Sequence, residues 1–575
     1  MGPPLVGSKL PANGCSFRSI FWPPATMGRW DLTGDCRGPR SMIDFLAESG
    51  DDTGMMACSH GDAVSEGFGH CLPPEIALER WPISVDPCPV HSGTAGNVVA
   101  NRLTEDSAVR VLVIEAGMTN KGVEDSIVPF LCTSLSPDTP WTWNYTTTPQ
   151  VALDGRSIPY PRGRLLGGSS SINFMVYTRG SSEDFDRYAN QEHFVPPADH
   201  HNTSGQFDPA VHGFSGPVQV SLPGFPQAID GRVVETTREL EEFSWNQDMN
   251  SGFTLGIGWT QATIGSSRRS SSAMGYLAPH YLKRANLDVL INTRVTKLVP
   301  ADDETETMSF NSVELAQSSA GPFYRISADK EIVLSAGSIN TPQLLMLSGL
   351  GDPAVLQRLG IRPLVDLPDV GKNLQDHPLI PSQFFVNGTD TSDTFKRNAT
   401  LFSEIFTQYN MSGSGPLVAS LFNNIGWLRI PDNSSIYQNY SDPAAGPQSA
   451  HYELIFSNGF AGFVQPIPST GHYLSVLTSV TAPMSRGSVT LNSSDPFDSP
   501  VIDPGLLNHP WDITSAWDGY VLAQYGEGAY ANTDAELEQY ACNFTSSVYH
   551  PVSTASMTSV DATGGGADFL LARLV

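Results

Sequence analysis

Positive charge is scarce in this 575-residue chain: 32 Lys and Arg stand against 59 Asp and Glu, a formal net charge of −27. A surface this acidic repels phosphate backbones and anionic headgroups, which excludes nucleic acid and an anionic membrane as partners. No run of about eighteen apolar residues occurs, so no transmembrane helix is expected. Cysteine is sparse and uneven. Five of the seven (Cys15, Cys36, Cys58, Cys71 and Cys88) precede residue 91, and only Cys132 and Cys542 follow. Neither Cys-x-x-Cys nor His-Glu-x-x-His spacing is present, so no metal site is expected. Gly-x-Ser-x-Gly is missing too, which removes the nucleophile elbow of an α/β hydrolase. The first residues, "MGPPLVGSKLPANGCSFRSIFWPPATM", contain no continuous apolar segment of the kind a secretory signal needs. Internal repeats are also lacking.

What remains is the composition of a globular protein, 40% hydrophobic and 16% charged, long enough for two or more domains. Nine Asn-x-Ser/Thr sequons occur, and five of them (Asn387, Asn398, Asn410, Asn433 and Asn439) fall close together. This clustering predicts surface glycosylation and a secreted protein, despite the unhelpful amino terminus.

Residues 1–90 are broken by Pro and Gly at every short apolar run, and are expected to pack poorly. Order begins with "CPVHSGTAGNVVANRLTEDSAVRVLVIEAG", Cys88 to Gly117. Gly96 opens a helical pattern with Val99 and Leu103 on one face. "VRVLVIEAG" is an apolar run suited to a buried parallel strand. "KEIVLSAGSINTPQLLMLSGLG", Glu331 to Gly351, repeats the strand–turn–helix theme. "HYLSVLTSV" and "GSVTL" are strand-like, and "TDAELEQYACNF" starts with a capping box, Thr533 and Glu536.

A phosphate-binding turn needs glycine for tight turning, for close approach of backbone to pyrophosphate, and for close helix–strand packing. Gly93 and Gly96 suit the second and third needs, while His91 stands where the first glycine belongs. Glu115 ends the next strand 22 residues after Gly93, placed to bind ribose hydroxyls. Pro87 and Pro89 argue against a strand before the turn.

Further blocks give this half-motif a context. "PRGRLLGGSSSINFMVYTRG" (Pro161 to Gly180), "GSINTPQLLMLSGLG" (Gly337 to Gly351), "DVGKNLQDHP" (Asp369 to Pro378) and "VYHPVSTASM" (Val548 to Met557) follow in order. Together with Gly93, Thr94, Gly96 and Glu115 they resemble the glucose–methanol–choline (GMC) oxidoreductases over roughly residues 92–560. "WNYTTTPQ" and the residues from Arg156 to Ala189 look most similar to fungal aryl-alcohol oxidases, with pyranose dehydrogenases next.

The resemblance implies an α/β fold: a doubly wound FAD-binding domain from residues 91–190, 260–375 and 540–575. A substrate domain from 191–259 and 376–539 would carry an antiparallel sheet. FAD is implied in an extended pose, with Gly93, Thr94 and Gly96 at the pyrophosphate and Glu115 at the ribose. Arg162, Gly167, Gly168, Ser169 and Asn173 would follow the turn along the flavin, with Met175 nearby and Val295 at the adenine. Ile172 stands where some relatives carry a flavin-linking histidine, so non-covalent FAD is expected. His550 would be the general base, with Tyr549 lining the pocket. The implied reaction moves a hydride from a small-molecule alcohol, aryl or unsaturated and primary, to flavin N5, with oxygen (giving hydrogen peroxide) or a quinone as acceptor. A sugar dehydrogenase of the same family and a non-catalytic secreted remnant are the alternatives.

Several departures shape the expectations. A Gly-Trp segment usual after "DFDRYAN" is missing, and no histidine or asparagine follows His550 to act as its partner. Such gaps beside intact blocks predict a truncated or mis-spliced chain that binds FAD weakly and oxidises alcohols slowly or not at all.

Overall fold

The computed structural model describes residues 88–179, 192–301, 308–518 and 533–556. Its first sheet is parallel. Cys88–His91, Val111–Ile114 and Leu287–Leu290 lie side by side in that order, and Val90 bridges Val333 on the outer flank. Val111–Ile114 is buried at every position because both faces of the sheet are covered. Val111 and Val113 face a cluster containing Val90, Ala100, Ala273 and Leu287. Leu112 and Ile114 face the opposite cluster, with Leu298, Val313, Leu344 and Leu345.

The strand excluded on account of its prolines is therefore present, and it begins at Cys88. Hydrogen-bond geometry explains why Pro89 is tolerated. The bridge to the Val333 flank uses the Pro89 carbonyl, accepting from Val333 N at 2.9 Å, and the His91 N–H, donating to Val333 O at 3.3 Å. The proline nitrogen faces the same flank just before this bridging starts, so no ladder bond is lost.

The Thr94–Leu103 helix crosses from this strand to Val111–Ile114. Its buried stripe is Gly96, Asn97, Ala100 and Asn101, whereas Val99 and Leu103, the face expected from the pattern, are only half-buried. Close approach selects small residues here. A Cβ on Gly96 would lie 1.8 Å from the His91 carbonyl oxygen. The two asparagines satisfy their amides inside the contact, Asn97 to Ser272 Oγ at 3.1 Å and Asn101 to Tyr276 O at 2.7 Å.

The second expected strand–turn–helix unit is half realised. Glu331–Leu334 makes only the single bridge at Val333, while Gly337–Leu347 is a helix with Pro342 inside it. Pro342 cannot donate to the Ser338 carbonyl one turn back. That carbonyl accepts from the Thr554 hydroxyl at 2.6 Å instead, and Ser338 Oγ donates to Pro551 O at 2.6 Å. The break in the helix thus becomes an anchor for the 551–554 segment.

The second large element is a six-stranded antiparallel sheet. Its order is Ser546–Ser547, Pro378–Phe385, Tyr473–Val480, Tyr452–Ser457, Asn424–Leu428 and Gly256–Trp259. "HYLSVLTSV" and "GSVTL" both contain strands, as their alternation suggested. Asp534–Phe544 is a helix whose Thr533 and Glu536 form the reciprocal capping box. It delivers the chain to Ser546–Ser547, which pairs with the start of Pro378–Phe385. Among the described residues no helix is long and apolar enough to cross a membrane.

Gly96→Ala tests the close helix–strand contact. The added methyl group meets backbone rather than a movable side chain, so a loss of about 1–3 kcal/mol in stability is expected. A thermal melt matching the unsubstituted protein would show that the helix can retreat without cost.

Candidate active site

Two cavities meet between the parallel sheet and the antiparallel sheet. The larger, about 830 Å³, is lined by His91, Gly93, Thr94, Glu115, Arg162, Gly168, Ser169 and Val295, among others. The smaller, about 360 Å³, is lined by Arg162, Ser169, Asn173, Met175, Tyr549 and His550 together with sheet residues. Arg162 and Ser169 border both. Gly96 and Gly167 line neither: Gly96 sets the helix packing, and Gly167 (φ 93°) turns the chain into Gly168 (φ 54°).

Backbone meets backbone where the two glycine segments touch. A Cβ on Gly168 would lie 3.0 Å from Gly93 Cα. Thr94 Oγ1 accepts from Ser170 N at 3.2 Å and donates to Gly167 O at 3.5 Å, and Ser272 Oγ donates to Gly93 O at 3.2 Å. A bare, closely packed strip of main chain results along the wall of the larger cavity. Such a strip suits an anionic phosphate ligand, because uncovered amides can point at it.

Glu115 stands at the end of its strand and is 5% exposed. Burial pushes its carboxyl up to about 7, against the opposing effect of hydrogen bonds from Gly117 N (2.7 Å) and Ser92. A buried carboxyl in this state favours neutral hydrogen-bonding ligands such as ribose hydroxyls. Burial also pushes His91 down to about 4, so its imidazole is uncharged at neutral pH. Its backbone does not adopt a left-handed conformation, so the turn itself does not require glycine there. The cost of His91 is the volume of a ring at the wall of the cavity. These residues fit an extended dinucleotide, with His91 as the one tight point.

The smaller cavity is organised by Asp376. One carboxylate oxygen accepts from the Tyr160 hydroxyl at 2.5 Å and from the Ser547 hydroxyl. The other accepts from the backbone N–H of His550 at 2.7 Å and of His377 at 2.8 Å. Antiparallel pairing of Pro378 with Ser547 brings these segments together, and Val548 N donates to His377 O at 3.1 Å. His550 Nδ1 then lies 3.3 Å from His377 Nδ1. Desolvation by the surrounding protein is the main cause that lowers the pKa of both imidazoles, His377 to about 4, although His550 keeps a solvent-exposed surface. Between Val548 and His550 the chain passes through Tyr549 at φ 63°. Arg162 holds this strained turn, donating from Nη1 to Tyr549 O at 2.8 Å and stacking between the Tyr160 and Tyr549 rings.

Asn173 is held by Arg269, whose Nη1 donates to its side-chain and backbone oxygens, both at 2.7 Å. Met175, at φ 66°, is fully buried beneath the smaller cavity.

Asp376, His377 and Tyr160 were not singled out in the sequence. The signal was available: "QDHP" places an acid beside a histidine within a block already recognised. Which group they would meet depends on strand pairing across 170 residues, and local sequence does not encode that.

Residues 50–379 and 483–565 match the two domain profiles described as GMC oxidoreductase. The first match begins well before residue 91. Pyranose dehydrogenase 2 of Leucoagaricus meleagris is 36% identical over 520 residues, covering 82% of this chain and 84% of its own. Formate oxidase of Aspergillus oryzae RIB40 superposes with a TM-score of 0.72 at 26% identity, covering 82% of this chain and 89% of its own. A fungal aryl-alcohol oxidase shares the fold at a TM-score of 0.66 and 24% identity, covering 83% and 90%.

His91→Gly should raise the flavin occupancy of purified protein, read as the ratio of absorbance near 450 nm to that at 280 nm. An unchanged ratio would show that the imidazole does not obstruct the cavity.

Proposed function

Because the chain belongs to the GMC oxidoreductase family, whose members are FAD-dependent oxidoreductases, we propose that it oxidises the CH–OH group of a small-molecule alcohol in the smaller cavity. The observation that carries this reading is a histidine, His550, whose pKa is held below the ordinary imidazole value, at a chamber that shares Arg162 and Ser169 with the larger cavity.

Gly93, Thr94, Gly168 and Ser169 would hold the pyrophosphate and ribityl portions of FAD, Glu115 the ribose, and Val295 the adenine, with no covalent link. FAD supplies the hydride acceptor when bound. His550 accepts the hydroxyl proton of the alcohol at Nε2 when its Nδ1–H donates to His377. His377 thereby fixes the tautomer, as Asp376 fixes both backbones. The net change removes two electrons and two protons from the alcohol and gives a carbonyl product, with oxygen or a quinone as final acceptor. His377 orients the base but lines neither cavity, so it does not supply a second group at the substrate hydroxyl. Turnover is expected to be slow, because His91 crowds the cofactor cavity.

Aromatic side chains at the chamber wall, Phe174, Phe422, Phe463 and Tyr549 among them, support an aryl primary alcohol as substrate. A second reading, a sugar, is favoured by the polar groups on the sheet side of the same chamber and by the similarity to a pyranose dehydrogenase. Secretion is supported by the five clustered sequons, Asn387, Asn398, Asn410, Asn433 and Asn439, all of which are exposed.

Two outcomes are expected with FAD and benzyl alcohol. His550→Ala should lower kcat/KM by about 100-fold or more, the usual scale for losing a general base. The acid limb of the pH profile should lie below 6.5, because burial lowers the His550 pKa and keeps the free base available at lower pH. Turnover that survives His550→Ala would remove the histidine from the reaction.

A further inference from the structure

The wall of the smaller cavity carries polar atoms that no described residue satisfies. Trp427, Glu453 and Ser479 are direct cross-strand neighbours on three adjacent strands of the antiparallel sheet. Directly opposed residues share one face of a sheet. Leu379, the next residue in the same row, lines the chamber with Trp427 and Glu453, as does His550, whereas Ser479 stands between Glu453 and Leu379 in the row without itself lining the chamber. Trp427 Nε1, Glu453 Oε2 and Ser479 Oγ are all buried and have no hydrogen-bond partner among the described residues. Glu453 is 3% exposed.

Leaving such groups unpaired is costly. An apolar row would have been cheaper if the chamber only had to receive a hydrocarbon ring. Burial alone pushes the Glu453 carboxyl up to about 8, with no charged neighbour contributing. At neutral pH it therefore presents one O–H donor and one carbonyl acceptor. With the Trp427 indole N–H, the Glu453 carboxyl offers neutral donors and an acceptor side by side on the chamber wall, complementary to hydroxyls and not to a formal charge.

We propose that Trp427 and Glu453, with Ser479 beside them in the row, form a specificity site whose indole N–H and carboxyl hold a second hydroxyl of the substrate, making the preferred substrate a polyhydroxylated alcohol rather than one with a single hydroxyl. The proposal rests on the reading of this chamber as the alcohol site and adds the substrate class to it. The reacting hydroxyl lies at His550, and the row engages a different hydroxyl of the same molecule. The aromatic walls then pack against the carbon face of the polyol.

Equilibrium binding by calorimetry on the flavin-loaded protein tests this, with D-glucose as the polyol probe and benzyl alcohol as the single-hydroxyl probe. Glu453→Leu should weaken D-glucose binding at least tenfold more than benzyl alcohol binding. Glu453→Gln, which keeps a donor and an acceptor, should recover most of that difference, and Trp427→Phe should show a smaller discrimination of the same sign. Equal losses on both probes, or no binding of D-glucose to the unsubstituted protein, would overturn the proposal. Turnover measured on the same preparations reads the alcohol-oxidation assignment separately. Discrimination without turnover would sink that assignment while the row stands. Turnover with no discrimination would do the reverse. A melt of each flavin-free variant identifies any that merely fails to fold. Glu453→Gln should melt higher than the unsubstituted protein at pH 7, because it removes a carboxyl that burial forces to stay protonated.

Discussion

Four donors converge on the Asp376 carboxylate, and the candidate active site exists only because they do. They come from the Tyr160 hydroxyl, from the backbone N–H of His377, next to Asp376 in the chain, and, across the sheet edge, from the Ser547 hydroxyl and the His550 N–H. Tyr160, Asp376–His377 and Ser547–His550 are three segments far apart in sequence. A buried carboxylate accepts such bonds strongly, and removing any one donor leaves it partly unsatisfied at a cost of about 1–3 kcal/mol. The result is mutual placement: Tyr160 and Arg162 enclose the Tyr549 turn, and that turn aims His550 into the chamber beside His377. The Ser338–Pro551 and Ser338–Thr554 hydrogen bonds fix the far side of the same loop.

The cofactor side follows a different logic. There the constraint is steric, not electrostatic. Gly93, Gly96 and Gly168 allow main chain to lie against main chain, and the larger cavity runs along the strip they leave. Glu115 completes that wall from the end of the central strand. Its raised pKa has the same origin as that of Glu453, namely burial, yet the two sit in different cavities and suit different hydroxyls. An acidic protein surface and two neutral buried acids are compatible, because desolvation acts only on the interior groups.

Position in the sheet explains the division of labour in the smaller cavity. The sheet edge at Pro378 and Ser547 brings His550, the proposed base, to the chamber with His377 beside it. The middle strands supply the unpaired polar row. Chemistry at the edge and recognition at the centre are then held by one continuous hydrogen-bonded element, which keeps the distance between them fixed.

Local sequence was sufficient wherever the determining interaction is local. The capping box at Thr533 and Glu536, the Gly93–Glu115 spacing, the apolar Val111–Ile114 strand and the blocks that identify the family all lie within a few turns or strands of chain. His550 was legible for the same reason, as part of "VYHPVSTASM". Pro89 misled because the rule against proline in a parallel strand depends on which flank its nitrogen faces, and that is settled by a bridge to Val333. Val99 and Leu103 misled because hydrophobicity does not measure how near a neighbouring strand comes; proximity selected Gly96, Asn97 and Ala100 for burial instead. The pairing of His377 with His550, and the alignment of Trp427, Glu453 and Ser479, were decided only by tertiary structure. Strand register fixes which distant residues share a face, and a shift of one residue would turn every one of those side chains to the other side of the sheet.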